Sequence, residues 1–450
     1  MDKHDESSEL GLKRSLGLLD TVSIEVGAII GAGIFALTGT AVAICGAGLP
    51  IAFLIAALPM VLALLPIGLL ASVLPTVGGS FRYPARILSP FWGFIGVWGI
   101  MMGILLGGMP MYALTFADYL RVLFPAFDRM TVAVIAMVFF FVINMVGVKT
   151  ASVLQVIMFF VLLAALFTYI IFGIPAIDPA NLAPLFPGGF GAVGLAAGLL
   201  FFAYMGANFI IDLGAEIKNG SRNIPLSFAI SMPIVIVIYT LIGLVTVGVA
   251  PQSACANQPL SVPAARFLNE PLALFFTVGG GLLALATTIN ATYMFASRYI
   301  LVLAEDGMLP RTLGAVNRRF GTPHWGLAIM LILSLAFLPM GSDSFKILAI
   351  TASIGSIILL FPIVISAIRF PKKMPDLYAK APFRLKGFWL KFISILALAF
   401  GGFFIIALVM ESLAGALILA GWFIVGVIYY FIWTRYRRSR TQAGSPGKAS

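Results

Sequence analysis

Twelve long apolar runs, separated by short polar connections, make up most of the chain. They lie near residues 20–45, 51–74, 91–119, 131–147, 152–174, 191–216, 226–249, 271–303, 325–340, 346–369, 388–410 and 413–434. A helix that crosses a bilayer needs about 20 mostly apolar residues, so the pattern predicts an all-α polytopic membrane protein with 12 transmembrane helices. The runs are continuous rather than alternating, which excludes a transmembrane β-barrel. Two of them are interrupted. The first run contains Gly27-Ala-Ile-Ile-Gly-Ala-Gly33, and the sixth contains Phe201-Phe-Ala-Tyr-Met-Gly-Ala-Asn208. Glycine costs about 1 kcal/mol relative to alanine inside a helix, so the glycines point to a use for the backbone itself. Segments 1–5 and 6–10 then read as two five-helix units, each opening with a broken segment. Five is odd, so the second unit starts on the opposite side of the membrane, giving a 5+5 inverted repeat with discontinuous helices 1 and 6.

This predicts one transmembrane domain over 16–436, with repeat one at about 20–174 and repeat two at about 191–369. Helices 11 and 12, at about 388–434, stand outside the repeat and serve packing or dimerisation; monomer and homodimer both stay open. Residues 1–15 and 437–450 are polar tails. Between segments 8 and 9, residues 305–320 mix Leu309, Leu313, Val316 and Phe320 with Arg311, Arg318 and Arg319. That spacing suits a short amphipathic helix lying at the membrane interface.

Composition agrees with the pattern: 61% of the 450 residues are hydrophobic and 10% charged, against about 25% charged in soluble domains. The net charge of +11 does not indicate a nucleic-acid partner, because of where it sits. With the N-terminus inside, 24 of the 28 Lys and Arg fall on the inner side, leaving Arg121, Arg129, Arg266 and Lys346 outside. That asymmetry predicts cytoplasmic termini in a cell membrane, with the basic loops touching lipid headgroups. Cys45 and Cys255 both fall near the outer surface, and spacing leaves open whether they pair.

A helix interrupted near the midplane exposes unsatisfied N–H groups on one half and C=O groups on the other. The N–H end suits a carboxylate and the C=O end an ammonium or Na⁺. The predicted carboxylate donors are the N–H groups of Gly31, Ala32 and Gly33; the predicted acceptor is the carbonyl of Ile29. The competing reading is a Gly-xxx-Gly packing face through Gly27 and Gly31. Ionisable groups inside spans are functional candidates by default. Glu25 and Asp212 are therefore candidates for proton coupling or for sensing a substrate charge, with helix-packing hydrogen bonds as the alternative. Glu216 is expected to pair with Lys218 or Arg222 as a latch.

Several motifs carry a family resemblance. Leu12-Lys-Arg-Ser-Leu-Gly-Leu-Leu-Asp20 followed by Val26–Phe35 resembles the opening of the amino acid–polyamine–organocation transporters. Gly78-Gly-Ser-Phe-Arg-Tyr83, Glu216–Pro225, Ser297–Pro310 and Arg319-Phe-Gly-Thr-Pro323 resemble later stretches of that family, in order, over roughly 12–370. The resemblance implies the fold of the sodium-coupled leucine transporters, with amino acids as the usual substrates. It also implies that the carbonyls of Phe202 and Met205 join Ile29 around the substrate ammonium and that the Phe202 ring gates the site. Thr292 falls where the family can place a substrate-facing side chain. Some proton-dependent relatives have a lysine midway along helix 5, where this chain has Gln155; certain exchangers have an acidic residue where it has Asn208. Both departures leave the coupling ion open between H⁺ and Na⁺. Thr287 and Thr288 with carbonyls near Ala28 form a candidate sodium site, the alternative being hydroxyls bonded back to their own helix.

The function expected is secondary active transport of amino acids by alternating access. A polyamine or other amine carrier and a non-transporting amino acid receptor are the alternatives. No Walker loop or zinc-protease motif occurs, and His4 and His324, the only histidines, lie outside the apolar runs; neither enzyme nor cofactor is expected.

Overall fold

The computed structural model describes residues 11–341, 345–411 and 413–443. Residues 1–10 and 444–450 of the two predicted tails lie outside that set. Among the described residues there are helices and isolated bridges but no strands. Among the described residues, eleven stretches are long and apolar enough to cross a membrane, and the shorter apolar helix His324–Phe337 completes the twelve expected segments.

The first segment is two helices, α1 (Leu18–Ile29) and α2 (Ala32–Cys45), parted at Ile30 and Gly31. The second is α3 (Leu49–Val73), followed by a short helix α4 (Gly79–Ile87). The third comprises α5 (Pro90–Met102), a π-helical turn at Gly103–Gly108 and α6 (Met109–Leu123). Helices α7 (Arg129–Val146) and α8 (Val148–Gly173) complete the first half. Asp128 caps α7 through the Thr131 N–H, and that bond holds its carboxyl below the usual carboxylate range.

The sixth segment starts as α9 (Gly189–Leu200) and then abandons α-helical geometry. It continues as 3₁₀ turns at Phe201–Tyr204, Ala207–Asp212 and Gly214–Glu216. Helix α10 (Gly220–Gly248) follows. The eighth segment runs through α11 (Glu270–Phe275), a π-helical stretch at Phe276–Leu282 and α12 (Leu283–Glu305). Helices α13 (His324–Phe337), α14 (Phe345–Lys373), α15 (Gly387–Glu411) and α16 (Leu413–Ala443) end the chain. The last helix runs on through the basic residues after 436 instead of stopping at the predicted tail.

Burial sorts the helices into a core and a periphery. The most apolar window in Ile350–Lys373 is 83% buried and that of Leu413–Tyr436 only 17%, so α14 is central and α16 faces outward. Bulky apolar side chains such as Ile135, Phe139, Ile157, Phe403 and Ile424 are exposed, as a lipid-facing surface requires. Lipid tails are as apolar as leucine, so close backbone approach rather than water exclusion holds such helices together. A methyl on Gly326 would meet the Ser297 carbonyl at 2.5 Å, and one on Gly355 the Gly99 carbonyl at 2.8 Å.

One expectation changes here. Residues 305–320 form no amphipathic helix: a 3₁₀ turn at Arg311–Gly314 and a bridge between Asn317 and Thr322 replace it. Gly307 and Gly321 take positive φ, and the Asn317 carboxamide accepts from the N–H groups of Arg319 and Phe320, a local geometry that competes with helix. Cys45 and Cys255 are both buried and free; each thiol faces a carbonyl, Ala41 and Thr246 respectively.

Candidate functional site

The two breaks meet. A methyl on Gly33, at the start of α2, would lie 2.5 Å from the Ala203 Cα, and one on Gly206 would lie 2.8 Å from the Ala28 carbonyl oxygen. Gly206 has φ 108°, a conformation L side chains rarely adopt. The glycine run also serves packing. A methyl on Gly31 would come 2.1 Å from the Thr288 hydroxyl, and one on Gly27 would come 2.0 Å from the Gln155 amide nitrogen. The backbone site and the packing face share these glycines.

Opened carbonyls at the breaks find side-chain donors. The Tyr239 hydroxyl of α10 lies 3.0 Å from the Ile29 carbonyl and 3.1 Å from that of Ala203, so one phenol ties both breaks together. Thr288 donates to the Gly27 carbonyl at 3.0 Å and also to Ala284 of its own helix at 2.9 Å; Thr287 donates to Ala284 at 2.8 Å. No side chain caps the first turn of α2. Its N–H groups therefore form an uncapped helix start at membrane depth.

Beside the breaks lies a cavity of about 30 Å³. Ala28, Phe202, Met205, Thr288 and Thr292 line it, together with Ile100, Gly103, Ile104, Gly108 and Tyr112 from the third segment, and Phe209, Phe295, Ala352 and Ser356. One water needs about 10–15 Å³, so this closed form has room for water but not for an amino acid. Phe209 and Phe295 pack at 4.2 Å between ring centres on its wall. The walls carry no ionisable side chain apart from the Tyr112 phenol.

Other predicted residues lie outside the lining. Ile29, Gly31, Ala32 and Gly33 form the break itself, and Thr287 packs behind Thr288. Asn208 is buried and its amide nitrogen has no hydrogen-bond partner. Asp212 accepts from the Ser80 N–H and hydroxyl, both at 2.8 Å, and from the Tyr299 hydroxyl at 3.0 Å. Glu25 is buried against α10. Glu216 does not pair with Lys218 or Arg222. It makes a two-pronged buried ion pair with Arg298 of α12, at 2.8 and 2.9 Å, because Glu216 is fully buried while Lys218 and Arg222 are exposed.

The same end is sealed by the start of the chain. The N–H groups of Ser15 and Leu16 donate to the Glu216 carbonyl, and Leu16 bridges to Ile217. Where some relatives have a lysine, Gln155 donates to the Ser23 carbonyl at 3.3 Å and accepts from Asn290 at 2.8 Å. Asn144 donates in turn to Asn290 at 2.9 Å. These three amides form a buried chain that links α7, α12 and α8 to α1.

Sequence reasoning did not single out Tyr239, Arg298 or the third-segment lining. A signal existed for the last two: an arginine within an apolar run, and the cluster Gly103-Ile-Leu-Leu-Gly-Gly108. Tyr239 looks like any tyrosine in a span.

A family model described as amino acid permease matches residues 16–433. A branched-chain amino acid permease of Bacillus subtilis is 27% identical, over 95% of each chain. A methylthioribose transporter of the same organism is 26% identical, over 96% of this chain and 95% of its own. An uncharacterized transporter of Mycobacterium tuberculosis is 33% identical over 72% of each.

Proposed function

This chain belongs to the amino acid permease family, and we propose that it is a secondary active transporter that moves a neutral, apolar amino acid by alternating access around the two breaks. It is a transporter and not an enzyme, as the family and the relatives are. The observation that carries the substrate reading is the lining: Ile100, Ile104, Phe202, Met205, Phe209 and Phe295 surround the cavity, and no charged side chain does. The uncapped N–H groups at Gly31, Ala32 and Gly33 would hold the substrate carboxylate. The carbonyls of Ile29, Phe202 and Met205 would take the ammonium, with Tyr239 releasing Ile29 and Phe202 acting as the gate. Asn208 and Thr292 would add polar contacts. The branched-chain permease among the relatives agrees with an apolar side-chain pocket.

A polyamine carrier is disfavoured by the same lining, because Glu25 and Asp212 stand outside it. Asp212 serves instead as a latch between the sixth segment, α4 and α12. The Thr287 and Thr288 hydroxyls donate to the Ala284 and Gly27 carbonyls and keep oxygen lone pairs free for a cation, so the coupling ion stays open between H⁺ and Na⁺.

The inverted repeat belongs to this reading. The first member of each half is broken; the second carries two internal prolines, Pro59 and Pro66 in α3, and Pro225 and Pro233 in α10. The third member of each half contains a π-helical stretch, at Gly103–Gly108 and Phe276–Leu282. Three matched irregularities in the same order support two related halves.

A thermal-shift screen of the purified protein against amino acids, polyamines and methylthioribose tests the substrate class, because a ligand stabilises the form it binds. Apolar amino acids are expected to raise the melting temperature. Stabilisation by polyamines alone would overturn the reading.

A further inference from the structure

Glu25 has no place in the substrate site just described, yet it is one of the most isolated carboxyls in the fold. It is 1% exposed, and neither of its oxygens has a hydrogen-bond partner. It sits on α1, one turn before the break, on the face that packs along α10. The groups that act on it are the hydroxyls of Ser227 and Ser231 of α10. Neither meets the carboxyl in hydrogen-bond geometry: the Ser227 hydroxyl is donated to the Ile224 carbonyl at 2.8 Å, and the Ser231 hydroxyl has no partner.

Among the described residues no counter-charge reaches it. Helix α1 packs against α8, α10, α12 and the 3₁₀ turn Ala207–Asp212. Of the charged or titratable groups those elements present, the Tyr293 phenol of α12 is buried without a partner, Glu305 of α12 is exposed, and Tyr169 of α8 bonds to Thr246. The others are paired or exposed. Lys149 of α8 pairs with Asp20 at 3.0 Å, Arg298 of α12 pairs with Glu216, and Tyr299 bonds to Asp212. Tyr239 of α10 bonds to the break carbonyls, and Arg222, at the start of that helix, is exposed. A buried carboxylate without a counter-charge or hydrogen bonds carries a penalty of several kcal/mol. The same group bearing a proton is neutral and can donate to a serine oxygen after a small rotation.

We propose that Glu25, with Ser227 and Ser231, is a proton-binding site that closes when α1 docks on α10. Docking takes up one proton from water onto the carboxylate. Undocking returns it, leaving Glu25 ionised and hydrated. The break at Ile30 and Gly31 makes α1 a body separate from α2, so this exchange needs no unfolding. The site goes beyond the transport reading and does not depend on which substrate is carried.

The test uses the full-length protein reconstituted in lipid. Infrared difference spectra should show the carbonyl stretch of a protonated carboxyl at neutral pH in the wild type, and this band should be missing in Glu25→Gln. Hydrogen-exchange protection of residues 18–29, taken relative to α3, should fall from mildly acidic to mildly alkaline buffer in the wild type. In Glu25→Gln, a neutral mimic of the protonated form, it should stay level. Glu25→Ala provides the same comparison if the glutamine variant does not fold. An unchanged infrared band, or the same pH response in wild type and variant, would overturn the proposal. So would protection that follows sodium concentration but not pH. If no amino acid stabilises or crosses with this protein, the transport reading fails, while both of these readouts still decide the proton site.

Discussion

Arg298 donates two short hydrogen bonds to the Glu216 carboxylate, at 2% and 0% side-chain exposure, and the same guanidinium donates to the Met294 carbonyl and the Ser297 hydroxyl. Each charge is tolerable there only because the other is present. Removing one partner of a buried pair costs about 3–5 kcal/mol. Arg298→Met or Glu216→Gln alone should therefore lower the melting temperature sharply, and the double variant should recover part of the loss. Equal melting of the single variants and wild type would show that the pair adds nothing. The cavity shows a second residue-scale lesson. Phe202 and Met205 were singled out because they flank the Gly206 break, and Thr292 through the family resemblance, whereas Ala28 and Thr288 were read as a sodium site and the structure places them in the cavity lining. Tyr239 was not singled out, because its two acceptors lie 210 and 36 residues away, and no local pattern marks a hydroxyl aimed at a distant carbonyl.

Among the elements, the breaks are what make this bundle more than a packed set of spans. Tyr239 joins the end of α1 to the 3₁₀ turn after α9. Tyr239→Phe removes that joint and leaves two buried carbonyls short of a donor, at a cost of about 1–3 kcal/mol. It should also raise hydrogen exchange around residues 29–31 and 203–206. Exchange confined to wild-type levels there would mean the breaks are held by other contacts. Both breaks were readable because each half opens with a glycine-bearing interruption at a corresponding position, although glycine in an apolar run also serves close helix packing. The π-helical turns at Gly103–Gly108 and Phe276–Leu282 were not: a π turn adds one residue to a helix that keeps its apolar character, so hydropathy passes through unchanged. The segment 305–320 failed in the opposite way. Its apolar spacing fits a helix, but Gly307, Pro310 and the Asn317 turn decide the backbone, and Leu309 and Val316 pack against the core as loop residues.

At the level of the whole molecule, the basic residues predict both termini on the cytoplasmic side. The native cysteines are buried, so single cysteines added at Ser253 and Arg318 can report sidedness against that background. An impermeant thiol reagent applied to intact cells should label the first and spare the second; the reverse would invert the orientation. Helix count and order were legible because membrane thickness sets the length of every span. The site proposed to carry function, two breaks meeting beside an apolar cavity, depends on packing between segments far apart in sequence. The most direct test is uptake of radiolabelled apolar amino acids into proteoliposomes by the wild type, Gly33→Leu and Phe202→Ala. Saturable uptake by the wild type that is lost in Gly33→Leu and strongly reduced in Phe202→Ala is the result expected. Equal uptake by all three proteins would contradict a site built on the two breaks.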